Sequence, residues 1–226
     1  MAWDTEGTKR ALLDAAVEEF AEHGFAGGRV NRIASRAGVN KERLYGYFGS
    51  KAELFELVLQ RELAGVAAAV PLQVDEHGQL DLGAYAGHVF DYHRQRPHLL
   101  RLLHWEGLEP AVEGVQADRR ARLYAEKVEV IRQAQRSGSV DADVDAGALL
   151  YAVLALAAWR FAVPQATRLM LGPRADDLAS QRAALVELAG RLARPARRRA
   201  SELVAEDPPA AGSPPKARPA ATALLT

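Results

Sequence analysis

Between positions 29 and 51 the chain reads RVNRIASRAGVNKERLYGYFGSK. Arg29, Arg32, Arg36, Lys41, Arg43 and Lys51 share this stretch with a single carboxylate, Glu42. Asn31, Asn40, Tyr45 and Tyr47 add amide and phenol groups. Dense positive charge of this kind suits phosphate neutralisation on duplex DNA rather than bond-making chemistry. A solvated basic face on a small helical hairpin would carry the same charge.

Local sequence chemistry indicates how these groups are positioned. Val30, Ile33, Ala34 and Ala37 fall at helical spacing and form one apolar stripe, with Arg29, Asn31, Arg32 and Arg36 off it. Gly38 follows where the helix must reverse, since glycine adopts left-handed backbone without a side-chain clash. Asn40 is a good N-cap for a second helix whose Leu44 and Phe48 point to one side. Ser50-Lys51-Ala52-Glu53 matches a capping box, so a third helix is expected from Ser50. Lys51 then lies in a first turn, where free backbone N–H groups also favour an anion.

Helix, glycine turn, capped helix and second capped start resemble the DNA-binding domain of the tetracycline-repressor (TetR) family. The matching residues are Ile33-Ala34, Ala37-Gly38-Val39, Leu44-Tyr45, Phe48, Ser50-Lys51 and Leu54-Phe55. Upstream, Leu12 to Ala16, Phe20 and Gly24-Phe25 resemble that family's first helix and its exit. The resemblance spans about residues 6–66, with the helix-turn-helix at 29–48. It implies that Asn40 to Tyr47 form the recognition helix, with Lys41 and Arg43 as base or phosphate readers. Tyr45, Tyr47 and Lys51 match phosphate-contacting positions. Gly28 and Arg29 stand where relatives often carry small hydroxyl residues, so the usual cap is missing there and Arg29 is a longer-range substitute. Glu42 either accepts from a cytosine amino group or orients Lys41 or Arg43; an unpaired carboxylate near phosphates is unfavourable, which favours orientation.

Composition sets wider bounds. The 226 residues carry 29 basic and 29 acidic side chains, so the basic stretch is balanced by acidic surface elsewhere. No cysteine is present, which removes disulfides, thiolate chemistry and cysteine-based zinc sites. No charged n-region and apolar run opens the chain, and the apolar stretch from Ala146 to Trp159 is shorter than the roughly 20 residues that span a bilayer. A cytoplasmic protein without membrane contact is expected.

The remainder reads as helix throughout, giving an all-α fold: a three-helix head joined to a larger helical body over residues 67–195. Helices are expected at 50–70, 81–96, 97–107, 112–136, 145–163 and 164–171, with a last one from Asp176 to Arg194. Residues 196–226, rich in proline after Arg197-Arg198-Arg199, are expected to be a disordered tail. The 145–163 helix is apolar nearly all round, with Ala148, Ala152, Ala155 and Ala158 allowing close approach. The last helix carries Leu178, Leu185, Leu188 and Leu192. The resemblance implies a homodimer through these two helices, and so a palindromic or near-palindromic operator; the stripe could equally close the monomer core.

Aromatic residues and histidines concentrate in the middle helices. Such walls suit a small apolar or aromatic effector, although aromatic stripes also build ordinary cores. Tyr92, Trp105, Tyr124 and Trp159 are the candidate lining residues. His88, His93, His98 and His104 lack the spacing of three or four that aligns metal ligands on a helix, so neither metal nor cofactor is expected. No HExxH, P-loop or GxSxG motif occurs, and no enzyme activity is expected. The reading is therefore a ligand-released dimeric repressor. A DNA-binding regulator without a small-molecule ligand is one alternative. A helical enzyme or carrier with an incidental helix-turn-helix is another.

Overall fold

Side-chain caps start both helices that follow the glycine turn. The Asn40 carboxamide oxygen accepts the Arg43 N–H at 2.9 Å. At Ser50 the hydroxyl accepts the Glu53 N–H at 3.1 Å while the Glu53 carboxylate accepts the Ser50 N–H at 2.7 Å. Each bond satisfies a backbone donor that a helix end leaves free. Gly38 has a φ of 69°, as the reversal requires.

The computed structural model describes residues 5–109 and 117–195, with side chains from 120 onward in the second stretch. The elements are α1 Thr5–Gly27, α2 Val30–Arg36, α3 Lys41–Phe48, α4 Lys51–Ala69, α5 Leu82–Gln95, α6 Pro97–Gly107, α7 Ala117–Arg136, α8 Ala146–Ala162, α9 Pro164–Leu171 and α10 Leu178–Ala193. Among the described residues there is no strand, so the all-α expectation holds. Residues 112–116 of the helix expected over 112–136, and the tail expected over 196–226, lie outside the described residues. The last helix begins later than expected. Asp176 sits in a 3-10 turn over Gly172–Asp176, and Asp177 caps α10 by accepting the Ser180 N–H.

Two apolar cores result. In the head, Leu12, Phe20, Ile33, Leu44, Leu54 and Phe55 are fully buried, with Phe20 and Phe55 edge to face at 5.1 Å. In the body, α5, α7, α8 and α10 enclose Ala86, Val89, Ile131, Val153 and Ala189. Gly83 lets α5 approach α10 closely, because a Cβ there would lie 2.6 Å from the Val186 carbonyl oxygen. Two helices tie the cores together. From α4, Val58 and Leu59 pack in the head while Val66 packs on the body. From α6, Leu102 is fully buried among head residues, although α6 belongs to the body by sequence.

The docking of α6 explains a break in α1. Gly24 has φ 71° and ψ −177°, so the last turn of α1 is kinked away. A Cβ at Gly24 would lie 2.7 Å from the Trp105 ring, whose Nε1 donates to the Ala21 carbonyl at 3.4 Å. Gly28 is confined too, since a Cβ there would meet Phe20 at 2.7 Å. A hydroxyl-bearing residue at Gly28 has no room.

Gly24→Ala should therefore destabilise the protein by at least about 2 kcal/mol, combining left-handed backbone strain with the ring clash. Urea unfolding checks this, and an unchanged midpoint would mean that α6 and α1 are not held together here.

Candidate nucleic-acid interface and body cavity

Arg29 precedes α2 without a side-chain cap of its own. The cap comes from α1. Glu19, 1% exposed, accepts the Arg29 N–H at 2.7 Å and the Arg32 Nε–H at 2.7 Å. Burial alone would raise the pKa of this carboxyl. The Arg32 guanidinium and the Arg29 amide outweigh it and hold the pKa below the usual 4.5. The long-range substitute for the missing hydroxyl cap is thus Glu19, while the Arg29 side chain is exposed.

This arrangement reduces the charge offered outward. Arg32 is paired with Glu19, and Arg36 pairs with Glu18 at 3.0 Å. The six cations of the stretch therefore stand with three carboxylates rather than one. Lys51, half-buried, donates to the Ala26 carbonyl at 3.3 Å and lies 4.7 Å from the Phe25 ring centroid. Burial lowers its pKa. Its ammonium joins the end of α1 to α4 and is not extended as a surface arm.

The outward face of α3 carries Lys41, Glu42 and Tyr45, all exposed, with Arg43 and Tyr47 half-exposed. Lys41 Nζ lies 5.6 Å from the Tyr45 ring centroid, and Lys9 of α1 lies 5.9 Å from that of Tyr47. Asn31 is exposed on α2. The Asn40 oxygen is held by its cap, and its amide N–H groups can serve a partner as donors. Leu44 and Phe48 anchor the helix in the head core beneath this face. A short, capped, rigidly seated helix with cationic groups at its N-terminal end has the form needed to enter a major groove.

The body contains a cavity of about 160 Å³ between α4, α5, α6, α7 and α8. Leu63, Val89, Leu99, Leu100, Leu103 and Leu154 supply most of its wall. Of the four aromatic residues expected there, the structure brings only Tyr124 to it. Tyr92 packs over Gly65 in the α4–α5 contact, Trp105 sits on α1, and Trp159 is 54% exposed on α8. Helical spacing located the aromatics but not the side of each helix that faces the hollow.

The wall residues with polar groups are Tyr85, His93, Arg120, Tyr124 and Lys127. Lys127 Nζ donates to the Tyr85 hydroxyl at 3.0 Å and to the Val70 carbonyl at 3.3 Å. Burial pushes Tyr85 up to about 12 and lowers Lys127. His93 is buried with an unpartnered Nδ1, and burial lowers its pKa to about 4, so it is neutral near pH 7. Lys127 was legible in principle: it interrupts the apolar stripe Leu123, Ile131 and Ala134 of α7 at helical spacing.

On the far side of the body, Leu156 and Trp159 of α8, Met170 of α9 and Leu188 of α10 border an open apolar groove. The stripe expected on α10 splits. Leu185 is buried in the body core, whereas Leu188 and Leu192 are 52% and 41% exposed.

These features describe an all-helical helix-turn-helix regulator. A family model described as "Bacterial regulatory proteins, tetR family" matches residues 12–58, and "Tetracyclin repressor-like, C-terminal domain" matches residues 81–191. The chain is 40% identical to the HTH-type transcriptional repressor SCO4008 of Streptomyces coelicolor, over 76% of this chain and 87% of that one. It is 31% identical to the repressor NicS of Pseudomonas putida, over 61% of this chain and 66% of that one. The crystal structure of SCO4942, a transcriptional regulator from Streptomyces coelicolor, is 35% identical with a TM-score of 0.69, covering 82% of this chain and 98% of that one. The chain belongs to the TetR family of DNA-binding transcriptional regulators.

Removing the Glu19 carboxylate by Glu19→Ala should cost about 2 kcal/mol, because a charge-assisted hydrogen bond and a helix cap are lost together. Its folded pKa is depressed, so its contribution is complete above pH 4.5 and disappears as the pH falls through the lower folded value. Urea midpoints between pH 6 and 3 should fall less steeply for Glu19→Gln than for the wild type. Parallel curves would contradict the assignment.

Proposed function

We propose that this chain is a homodimeric, cytoplasmic transcriptional repressor that occupies a palindromic or near-palindromic operator and is released by a small, mostly apolar effector. The observation that carries the reading is the sharing of α4 and α6 between the head core and the cavity wall. A ligand can shift operator affinity only by preferring one arrangement of the heads. A cavity bounded by the same two helices supplies that preference. Repression is supported by the names of the two relatives, SCO4008 and NicS. The exposed apolar groove on α8, α9 and α10 suits a second copy of the chain, which would give two heads related by a two-fold axis.

In this reading Arg43 and Lys41 meet base edges or phosphates from α3. Tyr45, Tyr47, Asn31 and the side chain of Arg29 contact the backbone. Glu42 orients its cationic neighbours, Asn40 acts mainly as a cap, and Lys51 holds α4 against α1.

Fluorescence anisotropy with a duplex from the region upstream of its own coding sequence, against a scrambled duplex, tests the proposal. The wild type should bind the first at least tenfold more tightly, as dimers. Arg43→Ala should weaken that binding by about tenfold or more, consistent with roughly 1–3 kcal/mol for a base-reading arginine. Equal binding to both duplexes that Arg43→Ala leaves unchanged would overturn it.

A further inference from the structure

The body cavity is not electrically neutral. Lys127 Nζ stands at its wall with two neutral oxygen partners, and among the described residues no carboxylate lies within 4 Å of it. The neighbouring ionisable groups differ. Arg120 is paired with Glu106. Glu56 faces an adjoining recess of about 290 Å³ with Glu106 and Arg120, where burial, then Glu106, raises its pKa toward the neutral form. His93 is neutral, 6% exposed, and its Nδ1 has no partner among the described residues. The hollow thus offers one cation without a carboxylate partner, Lys127, with the Tyr85 phenol beside it and one unsatisfied imidazole nitrogen; the Tyr124 phenol and the Glu106-paired Arg120 also line it, and the rest of the lining is apolar. An ammonium in that setting is costly unless an anion meets it.

We propose that the effector is an apolar acid whose carboxylate pairs with Lys127 beside the Tyr85 hydroxyl, while its ring or short chain lies among Leu63, Val89, Leu99 and Leu154. The inference rests on the effector-binding reading of the cavity and adds the ligand's charge. A lysine ammonium accommodates a carboxylate as a point charge. The His93 nitrogen provides a second polar position, and the leucines set an apolar body of modest size. The volume suits one or two fused rings.

The test compares three naphthyl probes of similar size on the purified full-length protein: 2-naphthoate, 2-naphthylmethanol and 2-naphthylmethylammonium, by equilibrium fluorescence titration. Naphthoate should bind at least tenfold more tightly than the other two. Lys127→Met should erase that advantage and leave the affinity for the alcohol within about twofold, which shows that the cavity itself persists. Equal binding of acid and alcohol by the wild type overturns the charge assignment and leaves the cavity reading intact. Tighter binding of the ammonium overturns it too, and points to Glu56 and Glu106 as the recognising groups. Failure of all three probes to bind overturns the cavity reading and this inference with it.

Discussion

The docking of α6 onto α1 is the constraint on which the other features depend. Leu102 is buried among head residues and Trp105 lies against Gly24, while Leu99, Leu100 and Leu103 of the same helix line the cavity. Burying one leucine contributes about 2 kcal/mol, so this contact is a substantial part of the marginal stability of a domain. Packed cores are not continuously deformable. A change in cavity shape that displaces α6 must therefore carry α1 with it or break the contact. Because Leu63 of α4 also faces the cavity and the same helix starts at the Ser50 capping box, both mechanical links from body to head run past the hollow.

Within the head, charge is used structurally before it is used for recognition. Glu19 fixes the start of α2 through the Arg29 amide and holds Arg32, and Glu18 holds Arg36. Lys51 is turned inward to the end of α1. The exposed cations of the stretch then include Lys41 on α3 and Arg29 ahead of α2, with Arg43 half-exposed. The recognition helix α3 packs on α2 and α4, both of which these contacts tie to α1, and α1 in turn packs on α6. The proposed effector would act at the far end of this chain of contacts.

The head was legible in the sequence because its signals are local. Gly38, Asn40 and the Ser50–Glu53 pair specify turn and caps within four residues, and each does what its chemistry predicts. Glu19 escaped notice because its partners are ten and thirteen residues away and α1 gives no sign of which carboxylate turns inward. The same limit applies to the cavity. The aromatics of the middle helices were visible, yet their facing is set by tertiary packing, so Trp105 and Trp159 went to the head contact and the outer groove. Lys127 had a local signature, a cation within an apolar stripe, whose meaning required the hollow in front of it. Gly28 looked like a lost cap and is instead a packing necessity under Phe20.

The proposed coupling is tested most directly by the distance between the two heads. The chain contains no cysteine, so Lys41→Cys places one spin label on each α3 of a dimer. Ala158→Phe then fills part of the cavity from α8 without altering α4 or α6. Pulsed electron–electron resonance should give one defined separation in the Lys41→Cys protein and a displaced one when Ala158→Phe is added. An identical distance distribution in a protein that remains folded and dimeric would contradict the coupling of cavity to DNA-reading heads.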